Sequence, residues 1–83
     1  MANDALLRRI TSSPQTFDGK PGIRGMRIPV ERILGLLAQG ETYDSIFRNF
    51  PELESDDIRA CIEYARVAVA GDSFDSVQVA GAR

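Results

Sequence analysis

Apolar residues recur at helical spacing in three successive segments of the chain, and each segment predicts an α-helix. The first helix is predicted over residues 29–39, where Pro29 suits the first helical position and Gly40 suits a left-handed cap at the end. Its apolar stripe consists of Val30, Ile33, Leu34 and Leu37. We expect this stripe to form one wall of the core.

Two further helices are predicted after a short turn. The second covers residues 43–49, with Thr42 as its N-cap and Pro51 beyond its end. The third runs from an N-cap at Ser55 to Gly71, and its first turn is acidic, as the helix dipole favours. The inward-facing residues are Ile46, Phe47 and Phe50 in the second helix, and Ile58, Cys61, Ile62, Ala65 and Val69 in the third.

The segment GIRGMRIP, at residues 22–29, predicts a miniature β-hairpin. Gly25 suits the first central position of a type II′ turn, and Ile23 and Ile28 would anchor the two strands in the core. Strands this short are not stable alone and must pack on the helices or on another chain. The expected fold is mainly α, a three-helix helix-turn-helix-like domain with a short N-terminal β-hairpin. A plain three-helix bundle without a ligand also fits the pattern.

Three regions are expected along the chain. Residues 1–9 form an N-terminal arm, residues 10–70 form the helical domain, and residues 71–83 form a C-terminal tail. The tail alternates weakly through Phe74, Val77 and Val79, so we expect it to dock as a strand or to fold onto a partner.

Length and composition define the class of protein. A chain of 83 residues with 43% hydrophobic residues is one small domain, which often completes its core by pairing with a copy of itself or with a partner. No apolar run approaches the roughly 18 residues that a membrane span requires, and no signal peptide is evident. A single cysteine fits a reducing compartment, so a cytoplasmic location is expected.

The residues that enzymes need are scarce. The chain has no histidine, and a lone Cys61 without one is a poor nucleophile and more typical of a small buried apolar residue. No phosphate-binding loop or metal-ligand motif is present in the sequence, so neither a metal nor another cofactor is predicted. A non-enzymatic protein is therefore expected.

Charge is distributed unevenly along the sequence. Residues 1–30 carry five cations and two acids, whereas residues 31–83 carry five cations and ten acids. Phosphate contacts supply most of the affinity for nucleic acid, so the N-terminal cations are the better candidates for that contact, although each also fits a solvated surface charge. The candidate nucleic-acid-binding residues are Arg8, Arg9, Lys20, Arg24, Arg27 and, on the third helix, Arg59.

The run from Arg9 to Ala65 resembles the bacterial domain-of-unknown-function family 433. The first motif is matched by Gly19, Lys20, Pro21, Ile23, Gly25, Arg27, Ile28, Pro29 and Val30. The second part is matched by Gly40, Phe50, Pro51, Leu53, Asp57, Ile58, Ala60, Tyr64 and Ala65. Met26 departs from the pattern, because the family usually has threonine there, so a polar contact at this position is in doubt.

The resemblance implies a helix-turn-helix-like domain with a small β element, usually a homodimer, similar to antitoxins of VapB type. Such proteins are often encoded beside a PIN-like ribonuclease toxin, which they neutralise and with which they repress their own operon. We therefore expect an antitoxin of a type II toxin–antitoxin pair that binds operator DNA as a homodimer. The candidate toxin-binding residues are Arg66, Phe74, Val77, Val79 and Arg83. The alternative is a protein-interaction or dimerisation module that does not bind DNA, which the acidic third helix favours.

Overall fold

The fold is given by a computed structural model, which describes residues 3–12 and 19–71. The described residues form four helices and two short strands. In chain order these are α1 (Asp4–Leu7), β1 (Ile10–Thr11), β2 (Gly22–Ile23), α2 (Val30–Ala38), α3 (Tyr43–Asn49) and α4 (Ser55–Ala70). The prediction of a mainly helical domain with a small antiparallel β element near the N-terminus is confirmed.

The ends of α2 follow from local chemistry. Gly40 has a φ of +93°, and its N–H donates to Leu37 O at 3.0 Å, while the N–H of Glu41 donates to Leu36 O at 3.0 Å. This pair of bonds is the Schellman ending that glycine favours, as predicted. Pro29 lies one position ahead of the helix in an extended conformation, rather than inside its first turn.

The starts of α3 and α4 use different caps. The Thr42 hydroxyl accepts from the N–H of Ser45, and the Ser45 hydroxyl accepts from the N–H of Thr42, both at 3.1 Å, so the predicted cap of α3 is confirmed. The prediction of Ser55 as the cap of α4 is wrong, because the cap residue is Glu54. The N–H of Glu54 donates to the carboxylate of Asp57 at 2.8 Å, which ties the cap to the first turn.

The β element differs in detail from the prediction. β1 pairs antiparallel with β2, with Ile10 opposite Ile23, and a further bridge joins Gly22 to Pro29. The turn that follows β2 has Arg24 and Gly25 as its central residues, with φ values of 47° and 73°. Two positive values are the mark of a type I′ turn, so the predicted type II′ turn centred one residue later is wrong. We call β1, β2 and this turn the β corner.

The core lies where the β corner meets three of the helices. Its fully buried isoleucines are Ile23 from β2, Ile33 from α2, Ile46 from α3 and Ile58 from α4. Ile28, after the turn, is also buried, so both predicted anchors of the β element are in the core. α4 is the central element, because α1, α2 and β1 all pack against it. In the described parts of the chain, no helix is long and apolar enough to cross a membrane.

Candidate interaction surfaces at the β corner and on α4

The turn of the β corner is held by backbone contacts that fix the position of Arg24. The N–H of Met26 donates to Ile23 O at 2.8 Å, and the N–H of Arg24 donates to Arg9 O at 2.7 Å. The N–H of Gly25 donates to Thr11 Oγ1 at 3.0 Å, so β1 braces the turn from the side. A positive φ at a residue other than glycine costs about 1–2 kcal/mol, so the surrounding contacts must compensate at Arg24.

The compensation comes from Asp57, whose side chain is completely buried in the first turn of α4. Arg24 binds it with two parallel hydrogen bonds, from Nε to Oδ1 at 2.9 Å and from Nη2 to Oδ2 at 2.8 Å. Arg9 donates from Nη1 to Oδ1 at 3.0 Å, in addition to the backbone N–H of Glu54. The buried carboxylate thus accepts four hydrogen bonds, two of them in the forked geometry that arginine favours.

These contacts hold Asp57 in its charged form. Burial alone would raise the pKa of Asp57, but the hydrogen bonds from Arg24, the Glu54 N–H and Arg9 outweigh it and lower the pKa to about 2. The pKa of Arg24 is raised by its hydrogen bonds to Asp57, and that of Arg9 by hydrogen bonds to Glu54 and then to Asp57. The network is therefore fully ionised at neutral pH.

Two of the candidate nucleic-acid-binding residues are part of this network. The side chain of Arg9 is 27% exposed and also contacts Glu54 at 2.8 Å, while that of Arg24 is 38% exposed. Their donors are shared with carboxylates of the same chain and are not held out towards solvent. Contact of Arg9 and Arg24 with phosphate stays a prediction, and the observed ion pairs count against it.

The other candidate cations are more exposed. Lys20 Nζ lies 3.6 Å from Glu31, and Arg59 Nη1 lies 3.2 Å from Asp56, in pairs that solvent screens and that contribute little. Arg8 and Arg27 are exposed, and neither makes an ion pair within residues 3–12 and 19–71. The N-terminal cations that remain available to a phosphate are therefore Arg8, Lys20 and Arg27.

The start of α4 is not a basic surface. Positions 52–57 carry four carboxylates, and the cations paired with them are Arg9, Arg24 and Arg59. The basic N-terminal region and the acidic helical region thus meet at this point and largely neutralise each other. A recognition helix that enters DNA by this end would bring carboxylates towards phosphate.

The second half of α4 is an exposed apolar surface. Ile62 is 45% exposed and Val69 is 56% exposed, so the prediction that both residues lie in the core is wrong. They share one shallow apolar patch with Ala65, Arg66 and Ala70. We call these five residues the α4 surface. Exposed aliphatic side chains that line a single helix face are typical of a protein contact.

One residue of the α4 surface, Arg66, is charged and pairs with a neighbouring carboxylate. Arg66 binds Glu63 with Nε to Oε1 at 3.0 Å and Nη2 to Oε2 at 2.9 Å. The N–H of Asn3 donates to the same carboxylate at 2.8 Å, which ties the start of α1 to α4. These hydrogen bonds, that of Arg66 first, lower the pKa of Glu63 to about 2. Of the candidate toxin-binding residues, Arg66 lies here, and Phe74, Val77, Val79 and Arg83 lie outside the described residues.

Cys61 is fully buried in the core. Burial, together with the nearby charge of Asp57, raises the pKa of its thiol to about 12, so the thiolate does not form at neutral pH. The interpretation of Cys61 as a small buried apolar residue is confirmed. The described residues contain no group of three side chains that could hold a metal ion.

Asp57 and the α4 surface were the features that sequence reasoning missed. A signal for Asp57 exists, because it lies four positions before Cys61 and so shares the buried face of α4. No comparable signal exists for Ile62 and Val69, whose spacing is that of a core face. Their exposure depends on how far the other elements extend along α4, which local spacing does not encode.

Together, these features define a small, mainly helical domain in which a β corner is joined by ion pairs to the start of the longest helix. The chain belongs to the family described as Protein of unknown function (DUF433), whose model matches residues 10–65, which confirms the resemblance found in the sequence.

A curated relative, the "Uncharacterized protein y4eO" of Sinorhizobium fredii, is 34% identical over 56 residues. The alignment covers 68% of this chain and 25% of that protein, so the similarity spans about a quarter of the relative's length. No solved structure matches the chain significantly.

Proposed function

We propose that this chain is the antitoxin of a type II toxin–antitoxin pair, a non-enzymatic cytoplasmic protein that neutralises a PIN-like ribonuclease as a homodimer. The observation that carries the proposal is the α4 surface, a patch of exposed aliphatic side chains on one helix face. Such a surface favours function through protein contact. The family resemblance supplies the kind of partner.

The region around the end of α4 suits a nuclease partner in charge as well as in hydrophobicity. Nuclease sites of this type gather carboxylates around metal ions, so a blocking segment gains from a cation. Arg66 is the cation of the α4 surface, and Arg83 is a second cation further along the sequence. The segment from residue 72 onwards adds three apolar residues, Phe74, Val77 and Val79, which suit an extended contact.

The test begins with the gene next to that of this chain, which should encode a PIN-like nuclease. Its RNA cleavage is then measured in the presence of the purified protein. We expect the full chain to inhibit cleavage and a chain ending at Gly71 to inhibit at least tenfold less. A matched control replaces Asp72 and Ser73 by alanine and keeps the apolar residues of the segment. Equal inhibition by the full chain and by the chain without residues 72–83 would contradict a role of the tail in neutralisation. No inhibition by the full chain would contradict the antitoxin function itself.

Binding of operator DNA is the second candidate function, favoured by the exposed cations Arg8, Lys20 and Arg27. In this proposal these three residues contact phosphate, whereas Arg9 and Arg24 stabilise the β corner through their ion pairs with Asp57. In a dimer each contact occurs twice, so binding depends steeply on salt.

The DNA contact is testable by fluorescence anisotropy with the promoter upstream of the gene. We expect Arg27→Ala to weaken binding and to reduce the slope of log affinity against log salt by about one per lost phosphate contact. Arg48→Ala removes an exposed arginine outside the candidate set and serves as the matched control. If the wild-type protein does not bind at low salt, the chain is the alternative, an interaction module without a DNA contact.

A further inference from the structure

We infer that the segment after Gly71 folds back over the α4 surface of its own chain when no partner is bound. The inference rests on the proposed function for its consequence, because that function assigns the same segment and the same surface to the nuclease contact. The free protein thus keeps both contacts covered by each other, and the nuclease must separate them in order to bind. The fold-back is therefore an autoinhibitory contact.

The α4 surface lies directly before the segment that covers it. Its members extend from Ile62 to Ala70, and Ala70 is the last residue of α4. The segment is joined to the helix at Gly71, so it is held beside these side chains at a high effective concentration. A contact that is too weak to form between separate molecules can form within one chain under this condition.

The segment is long enough to reach the whole surface. Ile62 lies nine residues before Gly71, which is about 14 Å along the helix axis. Val77 lies six residues after Gly71, and an extended chain of that length spans about 20 Å. A segment that turns back after α4 therefore passes the far end of the surface.

The composition of the segment suits a reversal that is followed by an apolar contact. Asp72 and Ser73, directly after the helix, are residue types that favour turns. The apolar residues that follow are Phe74, Val77 and Val79. An antiparallel course along α4 places the first of them near Val69 and the later ones near Ile62. Such a contact removes apolar surface of both partners from water.

Charge favours the segment over a second copy as the occupant. Arg66 is the cation of the α4 surface, and a second copy that crosses there brings another Arg66 against it. Residues 72–79 carry two carboxylates, Asp72 and Asp75, and no cation. The segment therefore brings the opposite charge to the surface, whereas a second copy brings the same charge.

The first test measures how fast a thiol on the α4 surface reacts with N-ethylmaleimide, without nuclease or DNA. Ile62→Cys should react at least threefold more slowly in the full chain than in a chain ending at Gly71, because the segment covers this position. Ala68→Cys should react equally fast in both chains. Ala68 is the matched control, since it is exposed off the α4 surface and lies closer to the segment than Ile62 does. The native Cys61 is buried and contributes little to the reaction.

Two results of this experiment would overturn the inference. One is an equal rate for Ile62→Cys in the two chains, and the other is an equal slowing of both thiols, which shielding without a defined contact would cause. The protection should also be independent of protein concentration, because the contact forms within one chain. Protection that grows with concentration would assign the cover to a second copy and would likewise contradict the fold-back.

A substitution tests the contact without shortening the chain. Phe74→Ser should raise the reaction rate of Ile62→Cys to that of the shortened chain, because it removes the aromatic side chain of the segment. Gln78→Ala changes a polar residue of the same segment and should leave the protection in place. Protection that survives Phe74→Ser would overturn the apolar contact on which the inference depends.

A disulfide tests the autoinhibition. The double variant Ile62→Cys and Val77→Cys should form a bond within one chain on oxidation, which locks the segment on α4. The oxidised form should inhibit the nuclease at least tenfold less than the reduced form, and equal inhibition by both would overturn the autoinhibitory role.

The fold-back and the antitoxin function can fail separately. If Ile62→Cys is protected but the full chain does not inhibit the nuclease, the fold-back stands and the antitoxin proposal fails. If the nuclease is inhibited but the thiol is not protected, the antitoxin proposal stands and the fold-back is overturned.

Discussion

Asp57 is the residue on which the β corner and α4 meet. A carboxylate with a completely buried side chain is stable in its charged form only when its oxygens are matched, and here two arginines and a backbone N–H match them. Removing one partner of such a network leaves a buried charge without compensation, so we expect single changes there to destabilise the fold strongly. The positive φ of Arg24 is maintained by the same contacts.

Replacement of the carboxylate tests this role. Asp57→Asn keeps the shape of the side chain but removes its charge, and it should lower the free energy of unfolding by roughly 2–4 kcal/mol, as measured by urea denaturation. Asp44→Asn is the control, because Asp44 is exposed in the first turn of α3 and should lose no more than about 1 kcal/mol. Equal losses would show that the network is not needed for stability.

The lowered pKa of Asp57 also predicts a response to acid. The unfolded chain takes up a proton at this residue at higher pH than the folded chain does, so protonation favours unfolding. Of the stability at neutral pH, about 2 kcal/mol is attributable to this residue. That contribution is complete above about pH 5 and is lost as the pH falls towards about 2.

The measurement is the urea midpoint as a function of pH. The wild-type curve should fall steeply over this acidic range, and the curve of Asp57→Asn should be flatter there. Parallel curves for the two proteins would show that other carboxylates cause the acid loss.

At the scale of elements, a glycine inside α2 and a glycine just after its end differ in what they contribute to stability. Gly35 lies inside α2 with ordinary helical geometry, and Gly40 follows the helix with a φ of +93°. A Cβ added at either position would meet no atom within 4 Å, so space does not distinguish them. Only the backbone conformation does.

Alanine at these positions should therefore change stability in opposite directions. Gly35→Ala should stabilise the protein by about 0.5–1 kcal/mol, because alanine loses less backbone freedom in a helix. Gly40→Ala should destabilise it by about 1 kcal/mol or more, because alanine resists the left-handed conformation. Thermal unfolding of the two variants beside the wild type tests this, and a shift in the same direction for both would contradict it.

The helices were predictable because their determinants are local. The start of α3 and the end of α2 follow from Thr42 and Gly40, each within a few residues of the bond that it makes. The pairing of Ile10 with Ile23 was not predictable, since it joins positions that are far apart in sequence and each strand has only two residues. The predicted turn type was wrong because Arg24 has a positive φ, a backbone conformation that residues other than glycine rarely adopt.

The candidate site was less predictable than the fold. The arginines of the β corner were identified, but their partner Asp57 lies more than thirty positions away and shows its role only when the turn packs on α4. The tertiary fold therefore decides whether a cation faces solvent or a carboxylate. The tertiary fold also decides the exposure of Ile62 and Val69. Both have the helical spacing of core residues, but they lie beyond the part of α4 that the rest of the described chain covers.

In the molecule as a whole, residues 1–30 are basic and residues 31–83 are acidic. Charges of opposite sign from the two parts pair where the β corner contacts the start of α4. Arg9 and Arg24, two of the cations that the sequence offered for contact with nucleic acid, both lie against a carboxylate of α4. Within residues 3–12 and 19–71, the exposed aliphatic side chains of α4 form a separate apolar patch.

The contacts of Asp57 also bear on how related proteins diverge. Since one carboxylate holds both arginines, a change of Asp57 removes the shared partner of Arg9 and Arg24. Natural variants should therefore replace the acid of α4 and the arginine of the turn as a pair, for instance by two apolar residues of similar volume, which substitute well for a buried ion pair. Lineages that keep only one member of the pair should be rare.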